Sequence, residues 1–486
     1  MDITSNNLLA STECPEIIKK LKPGQYFILQ DFTNKQEFHK AMEEIILDGI
    51  AKIESLACRQ QVASAGLSQM HKYFPVDKVA LLDLFLRDNI VRISLEMPYS
   101  FCKNDLKYIG DFFIDTSTVV RICYPFSIAV KSKTTYSQYW QFRREQSVRS
   151  PQSTPSHPIN YAKKLKSAVK RILKKAIKLN QSPQPTPALQ PTPPNFSDPS
   201  QYHHQYPYAA SSYGPHLDSW YGYALNEIIL WWAITEVKED NGMVLYPELF
   251  GKPLEYDSNF VNDPLSPGIT LPKPNKFNMD SGSLLVINSD ILHGTNLNIS
   301  DATRIAIAPR VVLDTPKFNS NCKDFKSQQW ASSKDIARGD FERIIKFPVG
   351  ESFGVLYGEN QKPRLEKRIS VTLNSPLEKE VPIALCPSDA LAVGEKMLVN
   401  FPKESIIISR TADNLQAVNA ICPHMQVNLI DGFHDESQIY CPGHGVEFNW
   451  VDGKSKCDIL KLQVYQAFDR NGQIFLNRTI SRGSDI

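Results

Sequence analysis

The sequence predicts a mainly β protein with peripheral helices, in which an antiparallel barrel or jelly roll precedes a smaller all-β domain. Short strand-like runs alternate with Gly, Asn, Asp and Pro turns between Tyr213 and Val312. A second all-β stretch of about a hundred residues begins near Val381. Helical periodicity is confined to the first part of the chain and to one lysine-rich segment.

Length and composition are those of a soluble multidomain protein. The chain has 486 residues, of which 42% are hydrophobic and 22% charged. At about 150 residues per domain this length predicts roughly three units, and two domains plus linking segments fit equally well. The N-terminus has no secretory pattern, no apolar run reaches the roughly 18 residues of a membrane span, and the nine cysteines suggest no disulfide framework. We therefore expect a cytoplasmic protein.

The N-terminal elements are predicted from their periodicity. "YFILQDF" (26–32) is typical of a short strand, and residues 33–57 follow a helical period. Thr33 and Gln36 stand at capping-box spacing, which predicts the start of that helix.

Three further elements follow before the lysine-rich segment. "KVALLDLFLRD" (78–88) is predicted to be a helix. "NIVRISLEM" (89–97) and "TVVRICYPFSIAV" (118–130) are predicted to be strands because of their branched residues.

A basic insertion is predicted over residues 131–212. From Lys131 to Asn180 there are thirteen Lys and Arg residues and one acid. Residues 160–180 form an amphipathic cationic helix pattern, followed by a proline-rich linker. Peripheral membrane contact, docking of a partner and packing over the barrel all fit this helix, whereas no nucleic-acid-binding fold accompanies it. His203 and His204 lie in the linker, where we expect no metal role.

Two cysteine-histidine pairs near the C-terminus have the spacing of metal ligands. They are Cys422 with His424 and, after sixteen residues, Cys441 with His444. A Rieske [2Fe-2S] centre needs two thiolates on one iron and two imidazoles on the other, and each pair supplies one of each. A structural zinc site uses the same ligand set. Zinc fingers usually pair cysteine with cysteine and histidine with histidine, so the mixed pairs disfavour zinc.

The surroundings of these pairs resemble the Rieske ferredoxin family. The resemblance is carried by "AICPHMQVNLIDG", "IYCPGHGVEFNWVDGK" and "LQVYQAFDRNGQIFL", and it covers about residues 380 to 480. It implies a small Rieske domain over 379–486 whose cluster is held by the four paired residues. The second cysteine pair of some high-potential members is absent, which favours the oxygenase-associated branch. His434 is expected to be a solvated loop residue, and Cys386 and Cys457 are expected to be free thiols.

A second candidate centre lies in the barrel region. "PHLDSW" supplies His216 and Asp218, which point the same way if they lie on a strand, and "DILHGTN" supplies His293. Two histidines and one carboxylate on one face of an iron form the facial triad of non-haem Fe(II) oxygenases. The pattern therefore predicts an iron site, against the alternative of two buried structural histidines.

This region resembles the phytanoyl-CoA dioxygenase-like family of Fe(II)/2-oxoglutarate oxygenases. The resemblance is carried by "EDNGMVLYPELFG" and "GSLLVINSDILHGTNLNISDATR", and covers roughly residues 20 to 130 and 213 to 312. It implies a double-stranded β-helix domain over 1–315, interrupted by the insertion, and a connecting region over 316–378. It also implies that Arg304, eleven residues after His293, binds the distal carboxylate of 2-oxoglutarate. The carboxylate of Asp218 favours oxygenation over halogenation.

Taken together, the motifs predict an oxygenase that uses Fe(II), 2-oxoglutarate, O2 and a [2Fe-2S] cluster as electron donor. Its substrate would be a small organic or lipid-linked molecule, and a reductase would supply the Rieske centre. Two alternatives remain open: a Rieske-driven oxygenase without 2-oxoglutarate, and an electron carrier with an inactive barrel. The usual Rieske oxygenase is disfavoured, since there the Rieske domain comes first.

Overall fold

The computed structural model describes residues 24–149, 206–210, 212–256, 265–318, 329–347, 368–377 and 381–477. The predicted cationic helix, most of the proline-rich linker, His203 and His204 lie outside the described residues. No helix of the described part has both the length and the apolar character needed to cross a membrane.

The helices pack on the outside of the first domain. In the described residues they are α1 (Lys35–Ile53), α2 (Leu56–Ala65), α3 (Val79–Asn89), α4 (Val91–Ser100), α5 (Phe126–Ala129), α6 (Tyr136–Arg149) and α7 (Ser333–Ala337). The predicted helices at 33–57 and 78–88 are confirmed as α1 and α3, with α2 following α1 after a short break.

The first domain is built on a large antiparallel sheet. Its strands are β1 (Phe27–Leu29), β2 (Phe113–Asp115), β3 (Val119–Cys123), β4 (Glu227–Ala233), β6 (Leu284–Asn288), β8 (Arg304–Ala308), β9 (Arg310–Val312), β10 (Gln329–Ser332) and β11 (Ile345–Lys346). Strands β5 (Met243–Tyr246) and β7 (Leu292–Thr295) form a second, two-stranded sheet. The predicted jelly roll is thus confirmed, and its core lies between the two sheets, where Trp231, Leu245 and Leu285 are buried together.

Segment 89–97 is a helix, so its prediction as a strand was wrong. Ile90, Ile93, Ser94 and Met97 are all buried. Ile90 immediately precedes α4, and the i, i+3, i+4, i+7 spacing of the four residues places them on one side, where packing outweighs the β propensity of the branched residues.

The strand predicted over 118–130 is shorter in the structure. Strand β3 ends at Cys123, and Pro125 immediately precedes helix α5. Proline has no amide hydrogen for a sheet and suits a helix start, which explains where the strand stops.

The predicted capping box at the start of α1 was also wrong. Asn34 in left-handed conformation (φ 62°) precedes the helix and makes no side-chain cap. The backbone amide and hydroxyl of Thr33 instead donate to Oδ1 of Asp105, at 3.0 and 3.1 Å. A long-range partner therefore replaces the local cap.

The C-terminal domain contains its own sheet and core. Its strands run in the order β12 (Ile369–Thr372), β14 (Lys396–Asn400), β15 (Ser405–Arg410), β16 (Leu415–Asn419), β19 (Val464–Arg470), β20 (Gln473–Asn477) and β13 (Ile383–Pro387). A separate hairpin is formed by β17 (Gln438–Tyr440) and β18 (Glu447–Asn449). The turn of this hairpin carries Cys441 and His444, while Cys422 and His424 follow β16.

The two domains share an intramolecular interface on the side of the Cys-His loops. The backbone amides of Gly268 and Leu271 donate to the Asp431 carboxylate and carbonyl, at 3.2 and 2.9 Å. Arg368 forms an ion pair with the same carboxylate. Buried apolar residues of both domains belong to one continuous cluster, which includes Phe126 and Val446.

Candidate metal centres

The two candidate histidines of the barrel lie side by side on paired backbone segments. The amide of His216 donates to the carbonyl of His293 at 2.8 Å, and the amide of His293 donates back at 3.1 Å. Gly294 permits this approach, since a Cβ there would lie 3.1 Å from the carbonyl oxygen of Tyr213. Glycine therefore follows His293 in the motif because a side chain at position 294 would crowd the neighbouring backbone.

Asp218 completes a cluster of three buried ligand atoms. Leu217 is extended, which turns the side chains of His216 and Asp218 to the same side, but Asp218 itself begins a short 3-10 helix (Asp218–Tyr221). Its Oδ1 lies 3.5 Å from Nε2 of His216 and 3.7 Å from Nε2 of His293. All three ligand atoms lie within 4.8 Å of one another. The donor set fits Fe(II) in a facial triad.

Backbone carbonyls orient both imidazole rings. Nδ1 of His216 lies 2.7 Å from the carbonyl oxygen of Gly214, and Nδ1 of His293 lies 2.8 Å from that of Ile291. A donating Nδ1 leaves Nε2 as the basic nitrogen that faces Asp218. Burial, followed by the neighbouring His216, lowers the pKa of His293 to about 4. This ring is therefore neutral near pH 7, as a metal ligand must be.

Arg310 holds the outer oxygen of Asp218. Its Nε and Nη2 lie 2.9 and 2.8 Å from Oδ2 of Asp218, and Nε also lies 2.9 Å from Oε1 of Glu227. Burial would raise the pKa of Asp218, but Arg310 and the two histidines together lower it well below its usual range. Oδ1 therefore stays ionised and turned toward the histidines.

A cavity opens beside these three residues, between the two sheets of the barrel. Its walls come from six strands (β3, β4, β5, β7, β8 and β9) and from the segment 213–218. The lining residues are Val119, Arg121, Tyr213, His216, Asp218, Ile229, Trp231, Met243, His293, Thr295, Ala306, Ala308 and Arg310. The wall combines apolar and polar side chains, and the guanidinium of Arg121 lies 4.2 Å from the centre of the Tyr213 ring. A cavity with convergent polar groups beside apolar side chains is typical of a small-molecule site.

Arg304 is fully buried on β8, on the same strand face as the cavity residues Ala306 and Ala308. Its Nε donates to the carbonyl of Asn241 and its Nη2 contacts Sγ of Cys123, both at 3.0 Å. Nη1 is buried without a hydrogen-bond partner. Burial lowers the pKa of Arg304, and within the described residues no carboxylate pairs with it.

The four Cys and His residues of the C-terminal loops also come together. Cys422, His424, Cys441 and His444 are each at most 1% exposed, and the two imidazole rings lie 4.8 Å apart. The Cys422 thiol hydrogen-bonds that of Cys441, and this contact together with burial raises the pKa of Cys441. Because metal ligation requires thiolates, the pair needs positive charge in the space between the loops. The donor set fits a Rieske cluster.

Three minor predictions concern the same domain. Cys386 and Cys457 are free thiols, as predicted. His434 is half-buried near Trp450 rather than solvated, with the ring centres 6.1 Å apart. Burial, followed by the charge of Lys396, lowers the pKa of His434 to about 4. The prediction of a solvated residue was therefore wrong, since the ring lies edge-on to Trp450, which follows β18.

Sequence reasoning missed Arg310 and Arg121. Arg310 continues the two-residue alternation of Arg304, Ala306 and Ala308, so strand periodicity alone could have placed it on the cavity side. Arg121 is a single charged residue within an apolar strand, which was a weaker signal of the same kind. Its role depends on Tyr213, which lies far away in the sequence.

Comparisons with known proteins match both regions. The phytanoyl-CoA dioxygenase (PhyH) family matches residues 132–306, and the Rieske [2Fe-2S] domain family matches residues 381–463. The PhyH match runs through the segment predicted as an insertion. No curated protein matches the chain.

Among solved structures, two ferredoxins are each similar to about a fifth of this chain. The ferredoxin of carbazole 1,9a-dioxygenase from Nocardioides aromaticivorans IC177 is 23% identical over 21% of this chain and 100% of that chain, with a TM-score of 0.20. Sphingomonas yanoikuyae B1 ferredoxin is 22% identical over 20% of this chain and 100% of that chain, with a TM-score of 0.19.

Proposed function

Because the chain joins a phytanoyl-CoA dioxygenase domain to a C-terminal Rieske [2Fe-2S] domain, we propose that it is a 2-oxoglutarate-dependent oxygenase with its own electron donor. The two domain matches support an oxidoreductase of the oxygenase type with Rieske electron transfer. The PhyH family uses Fe(II), 2-oxoglutarate and O2, and the Rieske domain holds a [2Fe-2S] cluster. We propose in addition the dependence on 2-oxoglutarate, the ligand residues and the substrate class.

The roles of the barrel residues follow from their geometry. His216, Asp218 and His293 would hold Fe(II), and Arg310 would keep Asp218 turned toward the metal. When bound, the iron supplies O2 activation coupled to the conversion of 2-oxoglutarate to succinate and CO2. The apolar part of the cavity wall, including Ile229, Trp231 and Met243, would orient the C–H bond of a small organic or lipid-linked substrate.

The observation that carries the dependence on 2-oxoglutarate is the state of Arg304. A buried guanidinium without a carboxylate partner is costly, and its Nη1 is left without a hydrogen bond. Arg304 lies on the strand face that lines the cavity, so a carboxylate entering there could accept from it. A dicarboxylic acid that chelates iron at one end would satisfy this group at the other.

The experiment measures succinate release and substrate oxidation with Arg304→Lys and Arg304→Ala. We expect the KM for 2-oxoglutarate to rise by about 100-fold in the alanine variant, as for loss of one partner of a buried ion pair, and less in the lysine variant. Iron content and the visible absorbance of the cluster should not change, which separates this effect from unfolding. Unchanged KM values in both variants would overturn the assignment of Arg304.

A second candidate is a Rieske-driven oxygenase that takes its electrons through the cluster and needs no 2-oxoglutarate. The packing of the cluster loops against β7 favours it, because the amide of Leu297, just after that strand, donates to the carbonyl of His444 at 3.1 Å. This candidate predicts product without succinate and indifference to Arg304 substitutions. An inactive barrel would consume no O2 with any substrate tested.

A further inference from the structure

The segment that follows β7 contacts the second Cys-His loop directly. His293 lies on β7, and Leu297 is four residues further along the chain. The amide of Leu297 donates to the carbonyl of His444 at 3.1 Å. Four residues span at most about 13 Å between Cα atoms. A short path of three intervening residues and one hydrogen bond therefore joins His293 to His444.

Asn296 and Gly445 meet at the same place. The Asn296 side chain is 3% exposed, and its Nδ2 donates to the carbonyl of Glu239 at 2.9 Å. Its Oδ1 is buried without a hydrogen-bond partner and would lie 2.0 Å from a Cβ at position 445. Gly445 has φ +65° and no side chain, which allows this contact. The corresponding position after His424 is Met425, so the second loop alone has this close approach.

The first Cys-His loop reaches the same segment through Phe126. The ring of His424 lies edge-on to Phe126, with centroids 5.1 Å apart. The amide of Phe126 donates to the carbonyl of Asn298 at 2.8 Å, and Nδ2 of Asn298 donates to the carbonyl of Cys123 at 2.8 Å. The second loop thus contacts residues 296 and 297 directly, and the first loop is linked to Asn298 through Phe126; we call residues 296–298 the coupling segment.

A charged pair holds the second loop against the barrel. Lys276 forms an ion pair with Glu447, and its Nζ lies 3.3 Å from the carbonyl oxygen of Gly445. The two side chains are 12% and 18% exposed. A partly buried pair of this kind fixes orientation more than an exposed one would.

We infer that the coupling segment carries electrons from the cluster to the barrel iron of the same chain. This inference rests on the proposed function, because it takes the four Cys-His residues and the barrel triad as the two metal centres. In the step, [2Fe-2S]+ becomes [2Fe-2S]2+ and one ferric ion in the barrel becomes ferrous. One electron moves, no proton is required, and an external reductase would restore the reduced cluster.

The test follows electron transfer itself, without substrate. Full-length protein loaded with cluster and ferric iron is reduced under anaerobic conditions by a substoichiometric amount of dithionite. Reoxidation of the cluster is followed by its visible absorbance, and loss of ferric iron is followed by electron paramagnetic resonance. We expect a first-order rate that does not depend on protein concentration. A rate proportional to concentration would mean transfer between chains and would overturn the inference.

Charge-swap variants test the interface. Lys276→Glu and Glu447→Lys should each slow the first-order phase, and the double variant should restore it. The cluster spectrum, its reduction potential and the iron content should stay constant in all three. A rate that is unchanged in both single variants would show that this contact does not position the path.

Glycine variants test the close approach. Gly445→Ala should push Asn296 away and slow transfer, whereas Gly472→Ala, also at positive φ but with open space around it, should not. Asn296→Ala provides a second variant from the barrel side if Gly445→Ala does not assemble a cluster. Equal rates for Asn296→Ala and the unaltered protein would count against the coupling segment.

Failure of the proposed function would look different. Absence of succinate with a persistent first-order phase would rule out the dependence on 2-oxoglutarate and leave the electron transfer within the chain supported. Succinate release without any cluster-to-iron transfer would support the dependence on 2-oxoglutarate and overturn the coupling.

Mixing of two variant chains tests whether the path lies within one chain. A His293→Ala chain mixed with a Cys441→Ser chain should restore no electron transfer, since each chain then lacks one end of the path.

Discussion

Around the barrel triad, Arg310 pairs with Asp218, and backbone carbonyls accept from both histidines. Around the cluster loops, the neighbours of His424 are the rings of Phe126 and Tyr206, and the two thiols hydrogen-bond each other. The first centre is ionised and oriented by the protein alone. At the second, the hydrogen bond with Cys422 and burial raise the pKa of Cys441, so this thiol needs a metal before it ionises. One chain thus contains a preorganised ion site and a site that its metal cluster must complete.

The largest expected effect separates the two centres by their ligands. Asp218→Asn should remove the barrel iron and abolish substrate oxidation while the cluster absorbance remains. Cys441→Ser should remove the cluster while one iron per chain remains in the barrel. Iron and acid-labile sulfide analysis of purified protein measures both. Loss of both metals in either variant would contradict the independence of the two sites.

A smaller effect is expected for the residue that orients Asp218. Arg310→Lys keeps the positive charge but loses the paired contacts, so iron binding should weaken by about 10- to 100-fold, as is usual for residues behind a metal ligand. The iron dissociation constant is measured by titration, with cluster absorbance as an internal standard. The matched control is Arg410→Lys, which disturbs the Arg410–Asp469 pair in the other domain. If both variants bind iron like the unaltered protein, Oδ1 of Asp218 does not depend on Arg310.

The smallest effect concerns pH and belongs to the C-terminal domain. The pKa of His434 is about 4 in the fold and near 6.5 when unfolded. Between these values the unfolded chain binds more protons, so stability falls as pH drops from 6.5 toward 4. His434→Gln should flatten that part of the profile, and the effect should be modest because the ring is only half-buried. The apparent melting temperature of the C-terminal domain at several pH values measures it. A slope equal to that of the unaltered protein would show that other groups cause it.

Local pattern predicted the fold where burial follows periodicity. Strands such as β4 and β8 were predicted from short apolar runs, and helices α1 and α3 from apolar residues at helical spacing. Segment 89–97 was misassigned because Val91 and Ile93 favour strands, whereas packing places their segment in a helix. The prediction of a capping box at Thr33 was wrong for a similar reason, since the hydrogen-bond partner of Thr33 is Asp105, which is distant in sequence.

The sequence by itself determined which residues are candidate ligands and how they are spaced. Cys422, His424, Cys441 and His444, and the His216-x-Asp218 pair with a later His293, were predicted because each metal accepts few donor sets. Tertiary structure alone decided that Arg310 orients Asp218, that Arg304 is buried without a carboxylate, and that residues 296 and 297 contact the second cluster loop. These are contacts between segments distant in the chain. Local sequence encodes chemistry and periodicity, whereas which distant groups come together is decided by the packing of the whole core.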